Sequence, residues 1–350
     1  MSDRFRTLLK KVGSGTHTNQ LLSREEAADA LRMMLHREAT PVQVGAFLIA
    51  HRIRRPTGEE LAGMLDVYDE LGPHLTGANR PPVVLSHPYD GRSRTAPVTI
   101  LTALILTASG VPAILHGGDR MPTKEGISLA EIWRGLGVEW RGVSLQRTQD
   151  IFEKTGLGFV YLPAHFPEAM TLVEPRRDIG KRPPIATLEL MWSPYAGDAL
   201  IACGYVHPPT EGLFRTALGY RNQIRFMTVK GLEGSCDLPR DRTCIIGVNH
   251  PDGEFERLLL HPSDYGCNGK EVPFNSTEEL VGQTQAVLAG EPGELMPAAV
   301  WNGGFYLWRS GVAESLEAGI SEAKRLLAEG HVSRQFDAIA AAVGAIATSP

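Results

Sequence analysis

Apolar residues recur at helical spacing through the first 75 residues, and each run opens on a residue able to cap a helix. Ser23-Arg24-Glu25-Glu26 forms a capping box ahead of Ala27, Ala30, Leu31, Met34 and Leu35. Thr40, followed by Pro41 at the first helical position, opens a second run of Val42, Val44, Phe47, Leu48 and Ile49. Thr57-Gly58-Glu59-Glu60 opens a third, with Leu61, Met64, Leu65 and Tyr68. The pattern predicts three short helices in a compact helical region. After the turn-forming stretch 77–82 the texture changes. Strand-length apolar runs at 83–85, 111–115, 159–162, 199–202, 225–229 and 244–248 alternate with helical stretches at 97–109 and 129–136, then 280–288, 298–311 and 315–327. Strand, loop, helix, strand is the texture of an α/β fold with a mostly parallel sheet. Four prolines, at 175, 183, 184 and 194, break up the segment 168–195 and leave it without a readable period.

Composition narrows the class. With 43% apolar and 21% charged residues, the chain can bury a core, which excludes wholesale disorder. At 350 residues it is longer than one core usually serves, so two subdomains are expected. The longest apolar run, 98–111, is interrupted by Thr and Ser and is shorter than the roughly 20 residues of a membrane-spanning helix. The stretch MSDRFRTLLKK lacks the apolar core of a secretory signal, and the four cysteines, at 203, 236, 244 and 267, form no C-x-x-C pair. A cytoplasmic location is expected.

In open α/β sheets ligands bind where loops converge beyond the carboxyl ends of the strands. Two loops qualify. The first, 86–97, carries Asp90, Gly91, Arg92 and Arg94; the second, 116–127, carries His116, Gly117, Asp119, Arg120, Lys124 and Gly126. Glycine with Arg or Lys suits a phosphate, and ordinary turns with solvated charges have the same composition. A third basic group, Arg176, Arg177, Lys181 and Arg182, suits a carboxylate or phosphate clamp, or a helix C-terminus. Glu233 and Asp237 flank Gly234-Ser235-Cys236; two such acids hold Mg²⁺ or, as most loop acids are, are solvated. No nucleophile elbow, phosphate-loop glycine motif or zinc spacing is present.

The order of motifs resembles the anthranilate phosphoribosyltransferases. The residues that carry it are 38–50 (EATPVQVGAFLIA) with Thr57-Gly58-Glu59-Glu60-Leu61, Gly110-Val111-Pro112 leading to His116-Gly117, and Lys124-Glu125-Gly126 leading to Leu136-Gly137. The basic run 176–182 and the closing 301–307 (WNGGFYL) also fit. The resemblance implies a helical domain, 1–77 completed by about 168–195, beside an α/β phosphoribosyl-binding domain, 78–167 and 196–350. It implies a homodimer joined through the helical domains. It further implies transfer of a phosphoribosyl group from phosphoribosyl pyrophosphate with Mg²⁺, by positioning and charge neutralisation rather than by a protein nucleophile. Carried over by position, it puts Asp90, Gly91 and Thr99 on the sugar–phosphate loop, His116, Gly117 and Lys124 beside it, and Arg176 facing the acceptor carboxylate.

The chain also departs from the family pattern. The glycine-rich G-T-G-G-D stretch reads Ser86-His87-Pro88-Tyr89-Asp90, the asparagine and serine of N-x-S-T are Ala96 and Val98, and the acidic metal-binding pair falls on Cys236-Asp237. These changes count against anthranilate as acceptor and against a two-carboxylate Mg²⁺ site. An alternative is a non-catalytic relative that binds single-stranded nucleic acid. In that reading Arg92, Arg94, Arg120, Lys124, Arg176, Arg177, Lys181 and Arg182 line a basic cleft and Tyr89 is free to stack.

Overall fold

The computed structural model describes residues 3–15, 17–250 and 252–344. The outer ends of the two expected domains, 1–2 and 345–350, lie outside the described residues. Four helices come first: α1 (Asp3–Gly13), α2 (Arg24–Leu35), α3 (Pro41–Arg54) and α4 (Gly58–Leu71). The capping boxes at Ser23 and Thr57 form as the sequence predicts, and the expected cap at Thr40 proves to be a capping box too, closed by Gln43. Helix α1 was not among the expected three. Its apolar residues are few, but Phe5, Leu8 and Val12 keep helical spacing and are buried.

The α/β part follows as β1 (Val83–Leu85), α5 (Thr99–Ala108), β2 (Ala113–Gly117), α6 (Leu129–Gly135), α7 (Leu145–Thr155) and β3 (Leu157–Tyr161). The proline-broken segment resolves into four short helices, α8 (Leu162–His165), α9 (Pro167–Met170), α10 (Val173–Ile179) and α11 (Ile185–Leu188). Then come β4 (Leu200–Gly204), α12 (Pro208–Tyr220), β5 (Phe226–Val229), β6 (Cys244–Asn249) and β7 (Phe255–Leu260). Four helices close the described chain, α13 (Thr277–Leu288), α14 (Leu295–Arg309), α15 (Leu316–Ala328) and α16 (His331–Gly344).

The seven strands form one sheet in the order β3-β2-β1-β4-β5-β6-β7. The five from β3 to β5 run parallel, and β6 and β7 add an antiparallel edge. Side chains alternate along each strand into two cores. Val83, Leu85, Ala113, Leu115, Ala202 and Met227 enter the core shared with α5 and α14. Val84, Ile114, Val160, Ile201, Cys203 and Phe226 enter the core shared with the N-terminal helices. Helix α10 packs on α3, and α11 and α12 on α4, so chain from the middle of the sequence completes the helical layer.

Two contacts decide how tightly that layer is built. Glu60, fully buried at the start of α4, accepts from the N–H groups of Thr57 and Leu22 (both 2.8 Å) and is paired with Arg54 and His51. Burial pushes its carboxyl up, but His51 and these N–H donors outweigh it and bring it down to about 2. Gly63 on α4 meets the backbone of α2, where a Cβ would stand 1.9 Å from the Arg24 carbonyl oxygen. Gly63→Ala therefore forces the two helices apart. The expected loss is about 2 kcal/mol, read as a lower urea midpoint at unchanged slope.

Candidate functional site

The chain winds from β1 outward to β2 and β3, then returns to place β4 on the other side of β1. That reversal leaves a crevice beyond the carboxyl ends of β1 and β4. Ser86 ties it together. Its N–H donates to Ala202 O (3.2 Å), its hydroxyl accepts from the Gly204 N–H (2.9 Å), and its carbonyl accepts from the Cys236 N–H (3.2 Å).

The two loops singled out by sequence meet here. The Gly126 N–H donates to Asp90 O (2.9 Å) and the Ile127 N–H to Arg92 O (2.8 Å). Gly91 makes that approach possible: its φ is +76°, and a Cβ would lie 2.4 Å from the Gly126 backbone. The turn leaves Asp90 only 3% exposed, and neither carboxylate oxygen accepts a hydrogen bond from the described residues. Two cations flank it without touching it. Lys124 Nζ is 4.0 Å from Oδ1 and Arg182 Nε is 3.7 Å from Oδ2, and each of these side chains is 29% exposed. Burial lowers the Lys124 ammonium from its usual value, and Asp90 works in the opposite direction.

Around this triad, charge is neutralised internally. Arg92, expected in an open cleft, is fully buried and donates to Asp237. Asp237 also accepts from the Val98 N–H (3.0 Å) and the Thr99 hydroxyl (2.9 Å). Glu233 closes a ring of donors from the first loop: the N–H groups of Ser93 (3.1 Å), Arg94 and Thr95 (both 3.0 Å) and the Thr95 hydroxyl (2.9 Å). Burial raises the Glu233 carboxyl, but the N–H donors prevail and bring it to about 2. Neither acid is solvated, contrary to the usual behaviour of loop acids. Helix α14 backs this loop: Asn302 accepts from the Leu238 N–H (2.7 Å) and the Tyr306 hydroxyl donates to Cys236 O (2.7 Å).

His116 and Gly117 end β2 rather than opening the loop, and both are buried. A 2.6 Å hydrogen bond joins the Tyr89 hydroxyl to His116 Nδ1, and the imidazole stands edge-on to Trp192 with centroids 5.3 Å apart. Burial holds His116 near 3; burial first, then Arg92 and Lys124, does the same for His87. Both are neutral at physiological pH. Arg176, expected to face a ligand carboxylate, is 3% exposed and paired with Glu189, which is equally buried. Glu189 escapes sequence reasoning because, among the four acids of the proline-broken segment, nothing in its surroundings marks it out.

The expected basic cleft is not assembled. Arg92 and Arg176 sit in buried ion pairs, Arg120 is held by Glu131 (2.6 and 2.8 Å), and Tyr89, 4% exposed, fills space and does not offer a face for stacking. Arg94, Arg177 and Lys181 remain at the surface.

A helical layer on a doubly wound, mostly parallel sheet, with its crevice at the β1–β4 reversal, defines the class of fold. Solved structures that it matches include anthranilate phosphoribosyltransferases. The one from Thermus thermophilus superposes with TM-score 0.80 at 23% identity, covering 98% of this chain and 100% of that one. The one from Saccharomyces cerevisiae in complex with PRPP and Mg superposes with TM-score 0.84 at 16% identity, covering 99% of both. Residues 6–72 match the helical bundle domain of a glycosyl transferase family. The anthranilate phosphoribosyltransferase of Azorhizobium caulinodans is 29% identical over 99% of this chain and 98% of its own length; that of Aromatoleum aromaticum is 24% identical over 89% and 91%.

The yeast structure is in complex with PRPP and Mg. Cys236 and Asp237, where the resemblance puts the acidic metal-binding pair, do not fit such an ion. Both oxygens of Asp237 are taken, and the neighbouring position is a buried cysteine. Among the described residues no helix is long and apolar enough to cross a membrane.

Proposed function

We propose that this chain is a phosphoribosyltransferase-like member of the anthranilate phosphoribosyltransferase family that binds a phosphorylated pentose donor, such as phosphoribosyl pyrophosphate, in the β1–β4 crevice. The observation that carries the reading is Asp90: a carboxylate with no hydrogen-bond donor, buried between Lys124 and Arg182. Ribose hydroxyls supply the missing donors, and the two cations supply positive charge to a phosphate. His87 and His116 are held neutral, and burial pushes the Cys203 and Cys236 thiols up, so none of these four side chains supplies a thiolate or an imidazolium near neutrality. Transfer then rests on positioning and on neutralising the leaving group. Glu189 already fills the fork of Arg176, so an acceptor other than anthranilate fits the site better. The domain division expected from sequence, and a homodimer through the helical layer, belong to the same proposal.

The test is calorimetric titration with phosphoribosyl pyrophosphate. Asp90→Asn removes the charge and is expected to weaken binding by about ten- to hundredfold. Equal affinity in wild type and variant would place the donor elsewhere.

A further inference from the structure

The loop that carries Arg92 turns its guanidinium inward, under the crevice. Nη1 donates to Asp237 and is 3.4 Å from Ser235 Oγ; Nη2 donates to Thr95 Oγ1 (2.5 Å) and Ala96 O (3.3 Å); Nε is 3.9 Å from Glu233 Oε1. Two buried acids from the 233–237 loop thus converge on one cation of the 92–99 loop. On Asp237, 1% exposed, every oxygen is accounted for. Oδ2 takes Arg92 and the Val98 N–H, and Oδ1 takes the Thr99 hydroxyl.

We infer that Arg92 is the resident cation of this pocket, occupying the position a divalent ion would need in order to use Asp237, so that the chain binds its donor without metal there. An ion arriving at Asp237 must displace a fully buried guanidinium and leave its charge without a counter-ion. Mg²⁺ also keeps several waters in an octahedral shell, and while the Arg92 side chain occupies this pocket, walled by Ser235, Cys236, Val98 and Thr99 at no more than 3% exposure, those waters compete with it for the same space. Cysteine at the adjacent position is a soft ligand that a hard cation does not select. The donor part of the inference rests on the function proposed above; the cation part stands on the geometry alone.

The experiment separates the two. Manganese paramagnetic resonance on the donor-free protein reads bound Mn²⁺ directly. Wild type is expected to leave the free-ion signal undiminished. Arg92→Gln releases Asp237, and this variant is expected to take up one Mn²⁺ per chain and to melt at a higher temperature as Mn²⁺ is added, while wild type does not. Adding Asp237→Asn to Arg92→Gln abolishes both effects. A wild-type Mn²⁺ site that Asp237→Asn removes overturns the inference, as does a folded Arg92→Gln protein that takes up none. Should Arg92→Gln fail to fold, the wild-type and Asp237→Asn measurements decide alone. A parallel donor titration in EDTA is expected to match one in Mg²⁺. Donor binding only with Mg²⁺ overturns the metal-free claim, whereas no donor binding under either condition defeats the proposed function and leaves the Mn²⁺ result to stand.

Discussion

Lowering the pH from 6 to 4 is expected to remove about 5 kcal/mol of folding stability, most of what a domain of ordinary stability has. His87 and His116 are the source. Both are held near 3 in the folded chain, against 6.5 for a free imidazole. Below 6.5 the unfolded chain takes up two protons that the folded chain refuses. Stability therefore falls as pH falls, by about 3 kcal/mol per pH unit at most, until the folded values are reached. Glu60 and Glu233, at about 2 when folded against 4.5, extend the decline. Their contribution is complete above 4.5 and is lost as pH drops toward 2. Urea denaturation at a series of pH values checks the slope, and His116→Gln should make it shallower by about one proton. A stability unchanged from pH 7 to pH 5 would contradict the burial assigned to these imidazoles.

The second large effect lies at Arg176 and Glu189. Each is 3% exposed and each is the other's counter-charge. Glu189→Ala leaves a guanidinium buried and unpaired, with Met121 Sδ at 3.1 Å as its remaining side-chain partner, and is expected to cost about 3–5 kcal/mol. Arg176→Met is expected to cost a similar amount by stranding the carboxylate. The double change Arg176→Met with Glu189→Leu removes both charges and is expected to cost far less than either single change. Chemical denaturation of the four proteins closes the cycle. Additive losses would mean the two side chains do not depend on each other.

Much of the architecture was legible because its signals are local. A capping box, a proline at the first helical position and a strand-length apolar run each act over a few residues, and Ser23, Thr40, Thr57 and β1 stand where those signals put them. Helices α7, α12 and α16 and the edge strand β7 lie outside the elements the sequence predicts. In β7, Glu256, Arg257 and Leu259 are exposed, so the run lacks the continuous apolar character of the buried strands. The site was legible in part. The resemblance puts Asp90, Gly91, Thr99 and Lys124 together; in the fold Lys124 lies 4.0 Å from Asp90, beside Gly91, while Thr99 is buried against Asp237. Sequence could not show that Arg92 and Arg176 are spent on Asp237 and Glu189, because those pairings join positions 145 and 13 residues apart that fold alone brings together. A basic residue in a loop looks the same whether it faces solvent or an internal acid. For that reason the cleft expected from composition dissolved into ion pairs.

The central claim is that the crevice at Asp90 is a donor site. Its most direct test is calorimetric titration of the wild-type protein with phosphoribosyl pyrophosphate, run beside a labelled single-stranded oligonucleotide at low and high salt. One donor per chain is expected to bind saturably, with no more than weak association with the oligonucleotide. No heat with the donor, together with tight oligonucleotide binding that falls steeply with salt, would contradict it.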